Sequence, residues 1–360
     1  MVEDFPVISI ANNALQGCSS LLSISFPNSI QSIDAELLKD CSSLAAIEWS
    51  AEAALPAEAV AAVAGNPNLL LYVKNKSYAP SNIKNVIENG TADNITLKDA
   101  DGGNNFYCPQ AFTAKRITYE NEYNMETGYN ECKGWESIVL PYDVTSIRHE
   151  TGVGLTPITA AWTTESTLRP FWLYELSANG WQLAPAIKAN TPYIISMPNN
   201  KERYDAKYNI SGEVTFVGEN VQVQPSEDAV ICQQGDKHFN PSYQVQTANE
   251  SIYALNVNDV SQSQYAAGSV FRKALRPVHP FEAYMTYESP ATAPLLIPVF
   301  DSNEETGIRD VLLRKTTSHA SWYTLDGRKL QGHPTQKGLY ITSNQFFRNS
   351  EGVMPKYFLN

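Results

Sequence analysis

Five cysteines, five histidines and an excess of carboxylates are the side chains from which this chain could assemble a reactive centre. The cysteines stand at 18, 41, 108, 132 and 232, with no Cys-x-x-Cys pair, so zinc-ribbon and dithiol chemistry have no template. Cys108, Cys132 or Cys232 would act as a nucleophile only if the fold set His149, His238 or His279 beside it. His279, between Val278 and Pro280 at the entrance of a strand, reads more simply as a structural histidine. A glycosidase needs two carboxylates across a cleft, and Glu131, Glu136 and Asp143 around Trp135 are candidates. Acidic residues near strand ends are commonplace, however, and the Gly-x-Ser-x-Gly, His-Glu-x-x-His and P-loop patterns are absent. The run from Asp99 to Asn105 lacks the spaced ligands and distal Glu of a calcium loop and reads as a linker. No catalytic residue, metal site or cofactor is therefore expected, and the chain is expected not to be an enzyme.

Aromatic residues offer a different chemistry. Trp162, Trp172 and Trp181 would form a sugar-stacking platform if their rings were exposed, since amphipathic rings favour binding surfaces. The competing expectation is that this region's aromatics, Trp135, Phe171 and Tyr193 among them, form the core of a large β domain. The net charge of -12, without a basic stripe, argues against nucleic acid as a partner. No run approaches the roughly 18 apolar residues of a membrane-spanning helix.

The elements that must position these residues begin with a repeated phrase. Asn13-Ala14-Leu15-Gln16-Gly17-Cys18-Ser19-Ser20-Leu21 is echoed by Glu36-Leu37-Leu38-Lys39-Asp40-Cys41-Ser42-Ser43-Leu44, with each position shifted by 23. A fixed period in the twenties predicts a solenoid, whose turns bury their apolar side by stacking. Within each turn a strand alternates: Leu21, Ile24 and Phe26 inward, Ser23 and Ser25 outward. Asp34 is placed to cap a short helical turn through Leu37 and Leu38, and Cys18 and Cys41 are expected to pack as a buried ladder. Residues 56–64 predict a helix, with Pro56 at its start and Gly65 as its stop, before a third strand over 69–73. The outward face would then carry Ser23, Ser25, Ala46, Glu48, Leu70 and Tyr72. Val7-Ile8-Ser9-Ile10 already reads as the strand of a repeat, which implies a chain starting inside a longer solenoid, with any secretion signal upstream. That open edge predicts self-association.

The chain as a whole is expected to be mostly β. Residues 1–100 read as leucine-rich repeats with a C-terminal cap that includes the Asn89-Gly90 turn. Residues 101–300 read as an all-β, sandwich-like domain of short strands between turn clusters. Residues 301–360 read as a linker and small β module, with strands over 320–325 and 338–341 and an aperiodic tail from Phe346.

The Gly-Cys-Ser-Ser-Leu and Phe-Pro-Asn-Ser-Ile phrases resemble BspA-type leucine-rich repeats over about residues 5–75. Ala14-Leu15 and Leu37-Leu38 stand where the family usually has Ala-Phe, and Asp34 where it usually has Gly. The stretches Trp135–Val144, Ala189–Ile195 and Arg276–Tyr284 are similar to an all-β region of secreted Bacteroidales proteins. Trp322–Arg328 with Lys337–Ile341 looks like the short C-terminal module of the same proteins, although those chains end soon after it. The resemblance implies a secreted, cell-surface adhesion protein that binds host or bacterial surface proteins or glycans, and it transfers no catalytic residues.

Overall fold

The computed structural model describes residues 6–98, 104–128, 133–260, 265–289 and 294–300, and the backbone of three strands further on. It is mostly β: among the described residues there is no α-helix, only two short 3-10 turns. Two compact units divide at residues 313 and 314.

The first unit opens with parallel strands β1 (Ser23–Phe26), β2 (Ala46–Trp49), β3 (Leu70–Val73) and β4 (Asn85–Glu88), one per turn of the solenoid. Phe26, Leu37, Leu38, Cys41, Ile47 and Trp49 fill the space inside the coil. Asn89, with φ of 48°, and Gly90, with φ of 75°, make the expected turn into β5 (Thr91–Lys98). Both values belong to the left-handed region that Asn and Gly tolerate best.

The sheet does not stop where the repeats do. β5 pairs in parallel with β6 (Phe112–Tyr123), and the same sheet continues through β7 (Glu136–Ile138), β8 (Ser146–His149), β9 (Gly154–Pro157), β10 (Arg169–Ser177), β11 (Gly180–Leu183), β12 (Tyr193–Ser196) and β13 (Gly212–Val223). Its order is β1-β2-β3-β4-β5-β6-β13-β8-β9-β10-β12-β7, with β11 beside β10. The junction expected near residue 100 therefore lies within one sheet.

A second sheet of six strands has the order β14-β15-β18-β16-β17-β19. It comprises β14 (Cys232–Gln234), β15 (Lys237–Pro241), β16 (Tyr253–Leu255), β17 (Val270–Lys273), β18 (Ala283–Tyr287) and β19 (Leu296–Pro298). Trp172, Tyr174 and Ile194 of the large sheet share one apolar cluster with Phe239, Tyr253, Phe271 and Met285 of the smaller one.

The stretches Trp135–Val144, Ala189–Ile195 and Arg276–Tyr284 are joints of this packing. Asp143 accepts hydrogen bonds from Lys188 Nζ at 2.8 Å and Ala189 N–H at 2.9 Å. Asn190 N–H donates to Leu140 O, and Val139 N–H to Phe281 O. Ser137 Oγ donates to Ala283 O and accepts from Ala283 N–H.

Three expectations are corrected here. Residues 56–64 form consecutive turns, with several i→i−3 bonds such as Ala59 N–H to Pro56 O, rather than a helix. Nine residues fall short of a self-sustaining helix, and burial of Leu55, Ala59, Val60 and Val63 against the coil sets their path. Val7–Ile10 is not the edge strand of the main sheet: Ser9 bridges Ser32 in parallel, and Gln31 N–H donates to Ile8 O. The period of 23 pairs those segments, and β1 is the terminal strand of the sheet. In the second unit, β20 (Trp322–Thr324) and β21 (Gly338–Thr342) pair as expected, but the tail adds a third strand, β22 (Gln345–Asn349).

Candidate binding face

Register places the six predicted face residues in two rows. Ser23 lies beside Ala46 and Ala46 beside Leu70, while Ser25 lies beside Glu48 and Glu48 beside Tyr72. All six share one side of the solenoid sheet, yet they do not share exposure. Ser25 is exposed, Ser23 and Glu48 are half-buried, and Ala46, Leu70 and Tyr72 are buried.

Residues 104–110 cause the difference. Asn66 Nδ2 donates to Asn105 O at 2.9 Å and Asn68 Nδ2 to Asn104 O at 3.0 Å, so the segment is pinned by its backbone. The Tyr72 hydroxyl donates to Gln110 O and lies 3.5 Å from Cys108 Sγ. Phe106 and Cys108 are fully buried with Leu70, Tyr72 and Phe112. Leu70 and Tyr72 are thus an internal interface and not an open face, and Ala46 is buried beside Leu70. What stays open is Ser23, Ser25 and Glu48, with Gln110 Nε2 donating to Glu48 across 3.4 Å.

One signal for this was present in the sequence. β1 alternates as Ser-Ile-Ser-Phe, which suits one wet face, whereas β3 reads Leu-Leu-Tyr-Val, a continuous apolar run typical of strands buried on both sides. Leu71 and Val73 pack inside the solenoid while Leu70 and Tyr72 pack under the covering segment. The fastening asparagines were not legible, because Asn66-Pro67-Asn68 and Asn104-Asn105 read as turn and linker. Asn68 is fully buried and also bonds both the carbonyl and the N–H of Lys98, and Asn85 does the same for Thr96.

The aromatic platform is overturned. Trp162 and Trp172 are 6% and 5% exposed, and Trp181 packs its ring against Phe239 at 5.4 Å. Their apolar area is spent on the core shared by the two sheets, as it is for Trp135, while Phe171 and Tyr193 are buried in the other large cluster. Among the described residues no row of open rings is left to stack a sugar.

The nucleophile readings also come apart. Cys41 Sγ donates to Leu15 O, Cys108 Sγ to Gln110 O, and no described cysteine is hydrogen-bonded to a histidine. Burial pushes the Cys108 and Cys232 thiols up to about 11, away from thiolate chemistry. Cys18 is exposed and Cys41 buried, both as free thiols, so the ladder reading holds for Cys41 alone. His149 is held by Thr151 Oγ1 and Ser211 O, and His238 by Glu288. Glu131, Cys132 and most of the Asp99–Asn105 loop lie outside the described residues. Glu136 and Glu282 do line one cavity, but it encloses only about 30 Å³, and Arg276 donates to both carboxylate oxygens of Glu282 through Nη1 and Nη2. That volume suits a water and no sugar ring. Among the described residues no group of His, Cys, Asp or Glu is placed to hold a metal ion, and no helix is long and apolar enough to cross a membrane.

No curated protein and no solved structure matches the chain. Residues 4–55, which hold both echoed phrases and strands β1 and β2, match the family model described as BspA type leucine rich repeat region (6 copies). The parallel stack with its half-open strand face is, over that stretch, similar to a BspA-type leucine-rich repeat region.

Proposed function

We propose that this chain is a non-enzymatic, secreted or cell-surface protein that binds partner proteins in adhesion, using the open part of its solenoid face. The observation that carries the reading is the BspA-type stack of residues 4–55 with Ser25 exposed and Ser23 and Glu48 half-open beside it. Short polar side chains on a regular strand face let a partner approach closely and find hydrogen bonds. The two-sheet, sandwich-like remainder supports that face as a scaffold and covers its β3 end with residues 104–110. Host matrix proteins and surface proteins of other bacteria are the partners this reading names. Surface capture of immobilised matrix proteins tests it, with Ser25→Arg as the control that blocks the face without touching the core.

Self-association is a second reading, favoured by the sheet's terminal strand β1 and by Val7 and Ile8, which are 53% and 50% exposed where they bond to Ser29 and Gln31. An unpaired strand edge flanked by apolar side chains is a ready template for a second copy.

A further inference from the structure

The large sheet carries a groove far along the chain from the solenoid face. β8 and β9 pair with Ile147 opposite Leu155 and Arg148 opposite Gly154. Alternation sends Ile147, His149, Leu155 and Pro157 inward, and all four are buried. Ser146, Arg148, Gly154 and Thr156 share the other face, and all four border a half-open groove of about 550 Å³. Leu168, Pro185 and Ala186 supply apolar walls. This size is in the range of sites for small ligands and short peptide segments.

Two features point to the occupant. Gly154 lets a leucine lie against the strand: a Cβ there would stand 2.6 Å from Leu168 Cδ2, and Leu168 remains 43% exposed. Arg148 is exposed and makes no ion pair among the described residues, whereas Arg276 is held by Glu282 and Arg116 by Glu219. In a chain of net charge -12 a guanidinium without a carboxylate is an available binding group. The hydroxyls of Ser146 and Thr156 flank it on the same face. Ser146 and Arg148 are two residues apart on one strand, roughly 7 Å, which matches the spacing of alternate side chains in an extended peptide.

We propose that this groove binds an extended segment of a partner protein in which a carboxylate side chain neighbours a large apolar one. The carboxylate pairs with Arg148, and the apolar side chain lies against Leu168 and Pro185. The inference rests on the protein-binding reading but uses a different surface from Ser25.

Methyl NMR of the full chain, titrated with acetyl-Ala-Leu-Asp-Leu-amide and with its Asn counterpart, tests it. The Asp peptide is expected to shift the Leu168 methyl signals. Replacing its Asp by Asn, or introducing Arg148→Gln, is expected to weaken binding about tenfold. An Asp peptide that leaves Leu168 unmoved, or that binds Arg148→Gln as well as the wild type, overturns the proposal. Decanoate shifting the same signals where neither peptide does would reassign the groove to small apolar acids and equally overturn it. Arg148 is exposed, so its replacement leaves the core intact. Failure here is separable from failure of the adhesion reading, because matrix-protein capture read on Ser25→Arg does not pass through Arg148.

Discussion

Asp143 shows how a residue that looked chemical is used as a fastener. Burial alone would raise its pKa, but the Lys188 ammonium and the Ala189 N–H outweigh that and hold it below the ordinary carboxylate range. A depressed folded-state pKa gives stability that is present above the unfolded value, about 3.9, and lost as pH falls through the folded one. Asp143→Asn should therefore cost about 1 kcal/mol at pH 7 after allowing for solvent screening. The gap to the wild type should close in acid, which urea unfolding at neutral and acidic pH would show; an equal gap at both would refute the linkage. Thiol chemistry gives a second test at this scale. Among Cys18, Cys41, Cys108 and Cys232, brief alkylation of the native protein read by mass spectrometry should label Cys18 first. Early labelling of Cys108 would mean that the segment over the solenoid opens readily.

At the scale of elements, the segment 104–110 decides which strand faces meet water. Phe106 is fully buried and packs edge-on to Tyr243 at 5.4 Å and against Phe281 at 5.5 Å. Phe106→Ala should destabilise the chain by about 3–5 kcal/mol and raise hydrogen exchange in β3 more than in β1. Unchanged protection of β3 would show that the segment is not what covers it. The strands of the repeats were legible because their alternation and period are local. So were the turn at Asn89-Gly90 and the continuous apolar strands, such as β10 and β12. The helix over 56–64 was misread because propensity was outweighed by tertiary burial. Strands β8 and β9 went unread because Ser146–His149 and Gly154–Pro157 carry little apolar pattern and are fixed by their neighbours β13 and β10.

Across the whole first unit, solenoid and all-β region share a sheet, so the solenoid's face is defined partly by residues beyond it. Composition foretold the β class and the repeats foretold the stack. Which of Ser23, Ser25, Ala46, Glu48, Leu70 and Tyr72 stay open depends on a long-range cover, of which the continuous apolar run of β3 is the local sign. The terminal strand β1 makes a further prediction: light scattering should show mass rising with concentration, and Ile8→Lys should abolish the rise. A wild-type monomer at every concentration would remove the self-association reading. The account's central claim, protein binding by the open solenoid face, is tested most directly by interferometry of the full chain against a panel of immobilised matrix proteins. Saturable binding to at least one of them, weakened about tenfold or more by Ser25→Arg at unchanged melting temperature, is the predicted result. Absence of binding across the panel, or binding that Ser25→Arg leaves untouched, would contradict it.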